Sequence, residues 1–171
     1  MELIYPSYSL KAEFNAFCQD YLEHDVLQGG DYLQAMSDFN HYVAQLLHNS
    51  RSEDLPSFQT ACSHFWAVVD TQIVGTLRLR HSLRDPFLAT ELGHIGYDIA
   101  PSFRRRGYAK AMLCLSFAKA VELGIFRLLI TADESNIASR RVIEANGGIL
   151  DSIIMGPILK RKIARYWIEL V

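Results

Sequence analysis

The chain predicts a mixed α/β fold, on three observations: strand-like alternation and helical spacing succeed one another along its length, a short polar turn joins two apolar runs in its middle, and half of its side chains are hydrophobic. With 171 residues and 50% hydrophobic content there is material for one sizeable core, so one domain over residues 1–171 is expected. No repeat or low-complexity segment interrupts it.

Leu3-Ile4-Tyr5 is a short candidate strand. Residues 9–24 and 31–48 read as two helices, separated by His24-Asp25-Val26-Leu27-Gln28-Gly29-Gly30. Residues 49–60, with Asn49, Ser50, Ser52, Pro56 and Ser57, form a polar connection expected to be a mobile loop. Phe65–Val69 and Ile73–Arg80 flank Asp70-Thr71-Gln72, which predicts an antiparallel hairpin. His94 to Ile99 alternates as a strand until Pro101, which has no N–H to donate to a ladder. Ala109, Met112, Leu113, Phe117, Ala120 and Val121 then recur at helical spacing, with Gly124 as the stop. A strand at 126–131, a helix at 136–146 closed by Gly147-Gly148, and strands near 149–155 and 163–170 complete the order.

The most chemically specific stretch is Pro101-Ser102-Phe103-Arg104-Arg105-Arg106-Gly107-Tyr108-Ala109-Lys110, where a strand breaks into a basic turn at the start of a helix. A helix N-terminus offers unpaired N–H groups and partial positive charge, three arginines reinforce that field, and Gly107 lets an anion approach the backbone. The turn reads as a phosphate cradle, a solvated basic turn being the plain alternative. Neither a Walker A loop nor a G-x-G-x-x-G fingerprint is present.

Arg104 to Ala109 fits the Q/R-x-x-G-x-G/A signature of the GCN5-related N-acetyltransferase (GNAT) family, and Asn136-Ile137-Ala138-Ser139 through Gly148 resembles that family's N-x-x-S/A-x-x-x-Y/F-x-x-x-G segment. The likeness covers residues 60–171; residues 1–60 match only in element order. Gly93–Tyr97 and Arg165–Ile168 are similar to the same neighbourhoods of uncharacterised bacterial predicted acetyltransferases.

The resemblance implies a mixed, largely antiparallel central sheet, flanked by helices and splayed at an acyl-coenzyme A site. It implies acetyl-CoA as acyl donor and direct transfer to a primary amine in a ternary complex. It places Arg104, Arg105, Arg106, Gly107, Tyr108, Ala109 and Lys110 at the pyrophosphate, a backbone donor for the thioester oxygen near Ile99-Ala100, and carrier contacts at Asn136, Ser139 and Arg140. Asn136 could serve only as a helix cap, Ser139 as a surface hydroxyl and Arg140 as a solvated cation.

An amine of the lysine type, with pKa ~10.4, must lose a proton before it attacks. His94 leads as general base, its ordinary pKa of ~6.5 suiting proton transfer. Glu91 and Asp98 are alternatives, and a water chain or a hydrogen-bonded sheet role for His94 stays open. Counting from Asn136 puts Ile143 where many family members have a tyrosine that protonates the departing thiolate. Another hydroxyl or solvent must replace it; Tyr97, Tyr108 and Tyr166 are available. That departure also gives substance to the rival reading of a non-catalytic coenzyme A-binding or sensing module. Glu23 and Asp25 could attract an ammonium group or merely end a helix.

A net charge of −2, from 17 basic and 19 acidic side chains, argues against nucleic acid or an anionic membrane as partner. Cys18, Cys62 and Cys114 have no metal-ligand or disulfide spacing. No apolar run reaches the ~20 residues of a membrane span and no signal peptide is legible, so a cytoplasmic setting is expected. Tyr166-Trp167 could pair exposed strands of a homodimer or complete the core.

Overall fold

A computed structural model of the chain describes residues 1–51, 55–56 and 59–170. Seven strands form one sheet in the order β1-β2-β3-β4-β5-β7-β6: β1 Glu2–Ile4, β2 Cys62–Val69, β3 Gln72–Arg80, β4 Ile95–Ile99, β5 Arg127–Asp133, β6 Ile149–Met155 and β7 Lys162–Glu169. Every neighbouring pair is antiparallel except β4 and β5. Six α-helices are described: α1 Lys11–His24, α2 Val26–Gly29, α3 Leu33–Ser37, α4 Phe39–His48, α5 Tyr108–Glu122 and α6 Ile137–Glu144. The mixed, mostly antiparallel sheet flanked by helices is the fold class expected.

The period of two assigns the two faces of the sheet. Phe65, Leu77, Leu79, Ile95 and Ile99 pack with Met112 and Leu113 of α5. On the opposite face Trp66 joins Phe14, Phe17, Tyr21, Tyr32 and Phe39, with the Phe14 and Trp66 rings stacked at 4.5 Å. The β2–β3 hairpin turns through Asp70 and Thr71, both at positive φ, as a tight turn between right-twisted strands requires.

Two expectations change. The single helix over 31–48 is broken into α3 and α4, because Asp38 takes φ −143° and ψ 82° and its carboxylate accepts from the His41 N–H at 3.0 Å, capping a new helix. Tyr166 is fully buried and β7 lies between β5 and β6, so that strand has no free edge with which to pair a second copy. Ser52 and Ser57 of the polar connection lie outside the described residues. No helix among the described residues is long and apolar enough to cross a membrane.

One feature of the ladder positions the site. Within the strands β4 meets β5 at a single parallel pair, Ile95 with Ile130. Beyond it the strands part, and the ladder alternation with β3 turns the N–H groups of Tyr97 and Ile99 into the gap.

Candidate functional site

Two cavities open from this gap and share Tyr97, Asn136 and Ser139 as common walls. The larger, about 590 Å³, runs from the parted strands to the basic turn and the first residues of α5. The smaller, about 240 Å³, is bounded by β3, the end of β5 and the β6–β7 turn.

At the mouth of the larger cavity Gly107 caps α5 at φ +82°, a conformation glycine adopts without the strain of a Cβ. The first-turn N–H groups of a 15-residue helix thereby face the cavity lined by Gly107, Tyr108, Ala109 and Lys110. The three arginines separate in role. Arg104, exposed and on the wall of the larger cavity, is tied down by its neighbours: its Nε donates to the Ile99 carbonyl at 3.0 Å and its Nη2 to Asp25 at 2.9 Å and Gln28 at 3.1 Å. Arg105, exposed and at φ +63°, lines the cavity. Arg106 lies over the Phe103 ring at 5.4 Å and lines neither cavity.

Asn136 caps α6, its side chain accepting from the Ser139 N–H at 3.0 Å, and remains exposed to both cavities. The Ser139 hydroxyl lies 2.9 Å from the Tyr97 hydroxyl. Burial first of all pushes the Tyr97 phenol up to about 12, so it keeps its proton at neutral pH.

Other expected residues are engaged by partners of their own, Glu91 on the wall of the smaller cavity and Asp98 on that of the larger, the rest away from both. Arg140 points away from the cavities, donating from Nε to the Tyr166 hydroxyl at 2.8 Å and from Nη1 to the Glu134 carbonyl at 3.1 Å. The Ala100 N–H is taken by the Val74 carbonyl at 3.0 Å, so the backbone donors aimed into the gap are those of Tyr97 and Ile99. His94 is buried and lines neither cavity; its Nδ1 accepts from the Leu129 N–H at 2.9 Å, and burial lowers its pKa to about 4. The ring fastens β4 to β5 below the point where they part. The buried Glu91 carboxylate accepts from the Ile158 and Leu159 N–H groups at 2.7 and 2.8 Å, holding the β6–β7 turn. Asp98 accepts from Arg78 at 2.6 Å and from the Tyr32 hydroxyl at 3.1 Å. Glu23 and Asp25 do not line the smaller cavity. Ile143 is wholly buried in the α5-side core and Tyr166 donates to Glu144 at 2.8 Å.

Sequence reasoning passed over Arg78 and Arg80, which form the β3 wall of the smaller cavity. The signal was present: Thr76-Leu77-Arg78-Leu79-Arg80 puts two arginines on one face of an interior strand, where charges are rarely found without a task.

The Acetyltransferase (GNAT) domain model matches residues 19–149. No curated protein matches the sequence. Among solved structures, the microcin self-immunity acetyltransferase MccE, in complex with acetyl-CoA and AMP, is 15% identical with a TM-score of 0.73, over 98% of this chain and 91% of that one. RimL, a ribosomal-protein alpha-N-acetyltransferase in complex with coenzyme A, is 15% identical with a TM-score of 0.71, over 98% and 93%. RimJ of Mycobacterium smegmatis, in complex with a coenzyme A disulfide, is 17% identical with a TM-score of 0.73, over 98% and 80%. At these identities the likeness to the three is one of fold.

Proposed function

This chain belongs to the GNAT acetyltransferase family, and from that premise we propose that residues 1–171 act as one domain that transfers an acetyl group from acetyl-CoA to a primary amine. The observation that carries the reading is the meeting of two cavities at Tyr97, Asn136 and Ser139, one leading to an anion-binding helix terminus and the other to a separate polar pocket. The larger takes the donor. Its pyrophosphate sits at the α5 N-terminus and Arg105, and the acyl-bearing arm passes Asn136 and Ser139 into the gap between β4 and β5. The smaller takes the acceptor.

Both reactants then face each other at Tyr97, and positioning removes much of the barrier without a covalent enzyme intermediate. The amine nitrogen attacks the thioester carbonyl carbon. The N–H groups of Tyr97 and Ile99 receive the developing oxyanion, since β5 leaves them unpaired. As the carbon–sulfur bond breaks, the thiolate takes a proton from the Tyr97–Ser139 hydroxyl pair, which replaces the tyrosine missing at Ile143. The ammonium proton leaves through water: His94 is outside the cavity, and the Glu91 and Asp98 carboxylates are held by hydrogen bonds of their own. The three free cysteines fit a reducing, cytoplasmic setting.

The buried Ile143 favours one second reading, a coenzyme A-binding or sensing module without turnover. Thiol release from acetyl-CoA over a panel of primary amines, with product mass and coenzyme A binding followed in parallel, separates the two. Acceptor-dependent acetylated product supports transfer; tight binding without product across the panel supports sensing; no coenzyme A binding removes the donor assignment.

A further inference from the structure

The charged groups of the smaller cavity do not all pair. Arg78 is matched by Asp98 at 2.6 Å, Arg161 by Asp133 at 2.7 Å, and Glu91 by two backbone N–H groups. Arg80 has no carboxylate within ion-pair distance among the described residues. Its Nη1 donates to the Gly93 carbonyl at 3.1 Å and weakly to Leu92 at 3.5 Å, which holds the guanidinium plane while its Nε and Nη2 make no described hydrogen bond.

The wall is shaped around these cations. Gly96 faces Arg78 across the ladder, and a Cβ there would come within 3.2 Å of Arg78 Nε. Burial pushes the Arg80 pKa down, opposed by Cys62 and assisted by the neighbouring Arg78. A half-buried guanidinium with carbonyls on one edge and no counter-charge is costly to leave unpaired. It is also a planar fork suited to a carboxylate or phosphate.

We propose that the acceptor amine carries an anionic group, a carboxylate or a phosphate, and that Arg80, beside Arg78, holds it on the β3 wall of the acceptor cavity. The inference rests on the reading of that cavity as the acceptor site. The anion pairs with the unpartnered edge of Arg80, leaving the amine free to turn toward Tyr97 and the thioester.

The test uses two matched pairs of amines with the full chain and acetyl-CoA: glycine against glycinamide, and O-phosphoethanolamine against ethanolamine. Within each pair the ratio of kcat/KM, anionic over neutral, is compared between wild type and R80Q, so that intrinsic differences in amine basicity cancel. Loss of a charge-assisted pair predicts a fall of about tenfold or more in at least one ratio. R80K, which keeps the charge but not the fork, restores part of it. The pair that responds tells carboxylate from phosphate.

Ratios unchanged in R80Q would overturn the proposal. Calorimetric titration of the coenzyme A complex with glycine and O-phosphoethanolamine provides a readout without turnover. Binding that weakens about tenfold or more in R80Q supports the anion subsite even if no acetylated product forms, a result that would sink the transferase reading alone. Binding of neither compound, or equal binding by R80Q, overturns the subsite.

Discussion

The Tyr97 and Ser139 hydroxyls lie 2.9 Å apart where the two cavities meet, joining the splayed strand to the first turn of α6. With burial holding the phenol near 12, Tyr97 keeps a proton to give, and Ser139 can pass it on. Tyr97→Phe removes that donor while preserving most of the apolar packing. A fall in kcat of about a hundredfold is expected, with acetyl-CoA binding little changed. Steady-state kinetics beside a coenzyme A titration checks it; an unaltered kcat removes the hydroxyl pair from proton transfer.

If the ammonium proton leaves through water, the pH dependence of kcat/KM belongs to the acceptor. The rate should climb with pH up to the pKa of whichever amine is used, because only the neutral form attacks. A series of primary amines of graded basicity should move the midpoint in step. A midpoint that stays fixed across the series would point to a side-chain base.

His94 shows what sequence could and could not deliver. The strand run it heads was legible, although β4 itself begins one residue later at Ile95, but its ring direction depends on Leu129, 35 residues away, whose N–H it accepts at 2.9 Å. The same limit hid Arg78 and Arg80, whose cavity exists because β4 parts from β5 after one parallel pair. By contrast, the β2–β3 hairpin and the Gly107 turn were legible because a few adjacent residues fix their backbone. The break at Asp38 lay between: a local cap overrode the apolar spacing.

For His94 the expected signature is in stability. Its folded pKa, near 4, lies below the ordinary ~6.5, so between those values the unfolded chain binds more protons. The contribution of the buried neutral ring is full above about pH 6.5 and is lost as pH falls toward 4. His94→Gln should flatten this part of the acid slope, with His64, also lowered to about 4, and His81, lowered by burial, still contributing to it. Denaturant midpoints from pH 4 to 7 test it. An unchanged acid slope would show that His94 is not the group responsible.

Gly107→Ala tests the anion terminus. No atom lies within 4 Å of a Cβ built there, so φ +82° is the only obstacle. Forcing alanine into the left-handed region costs about 1 kcal/mol, or lets the turn relax and swing the first N–H groups of α5 off the pyrophosphate. Coenzyme A affinity should fall about fivefold to tenfold, and dephosphorylated pantetheine should lose much less. Equal losses for the two ligands would move the phosphate site elsewhere.

Ile143→Tyr asks whether the family's usual tyrosine position can be restored. In this chain the side chain at 143 is fully buried among α5-side core residues, with Gly148 so close that a Cβ there would meet Ile143 Cγ2. A larger ring must displace those neighbours, costing about 1–3 kcal/mol, and its hydroxyl would need a partner inside an apolar cluster. The variant should therefore unfold at lower denaturant concentration and show no gain in kcat. Paired with Tyr97→Phe, it should give no rescue of turnover. Restored thiol release in that double variant would mean that the ring swings out to the thiolate and that the core at 143 yields, contrary to a site built around Tyr97 and Ser139.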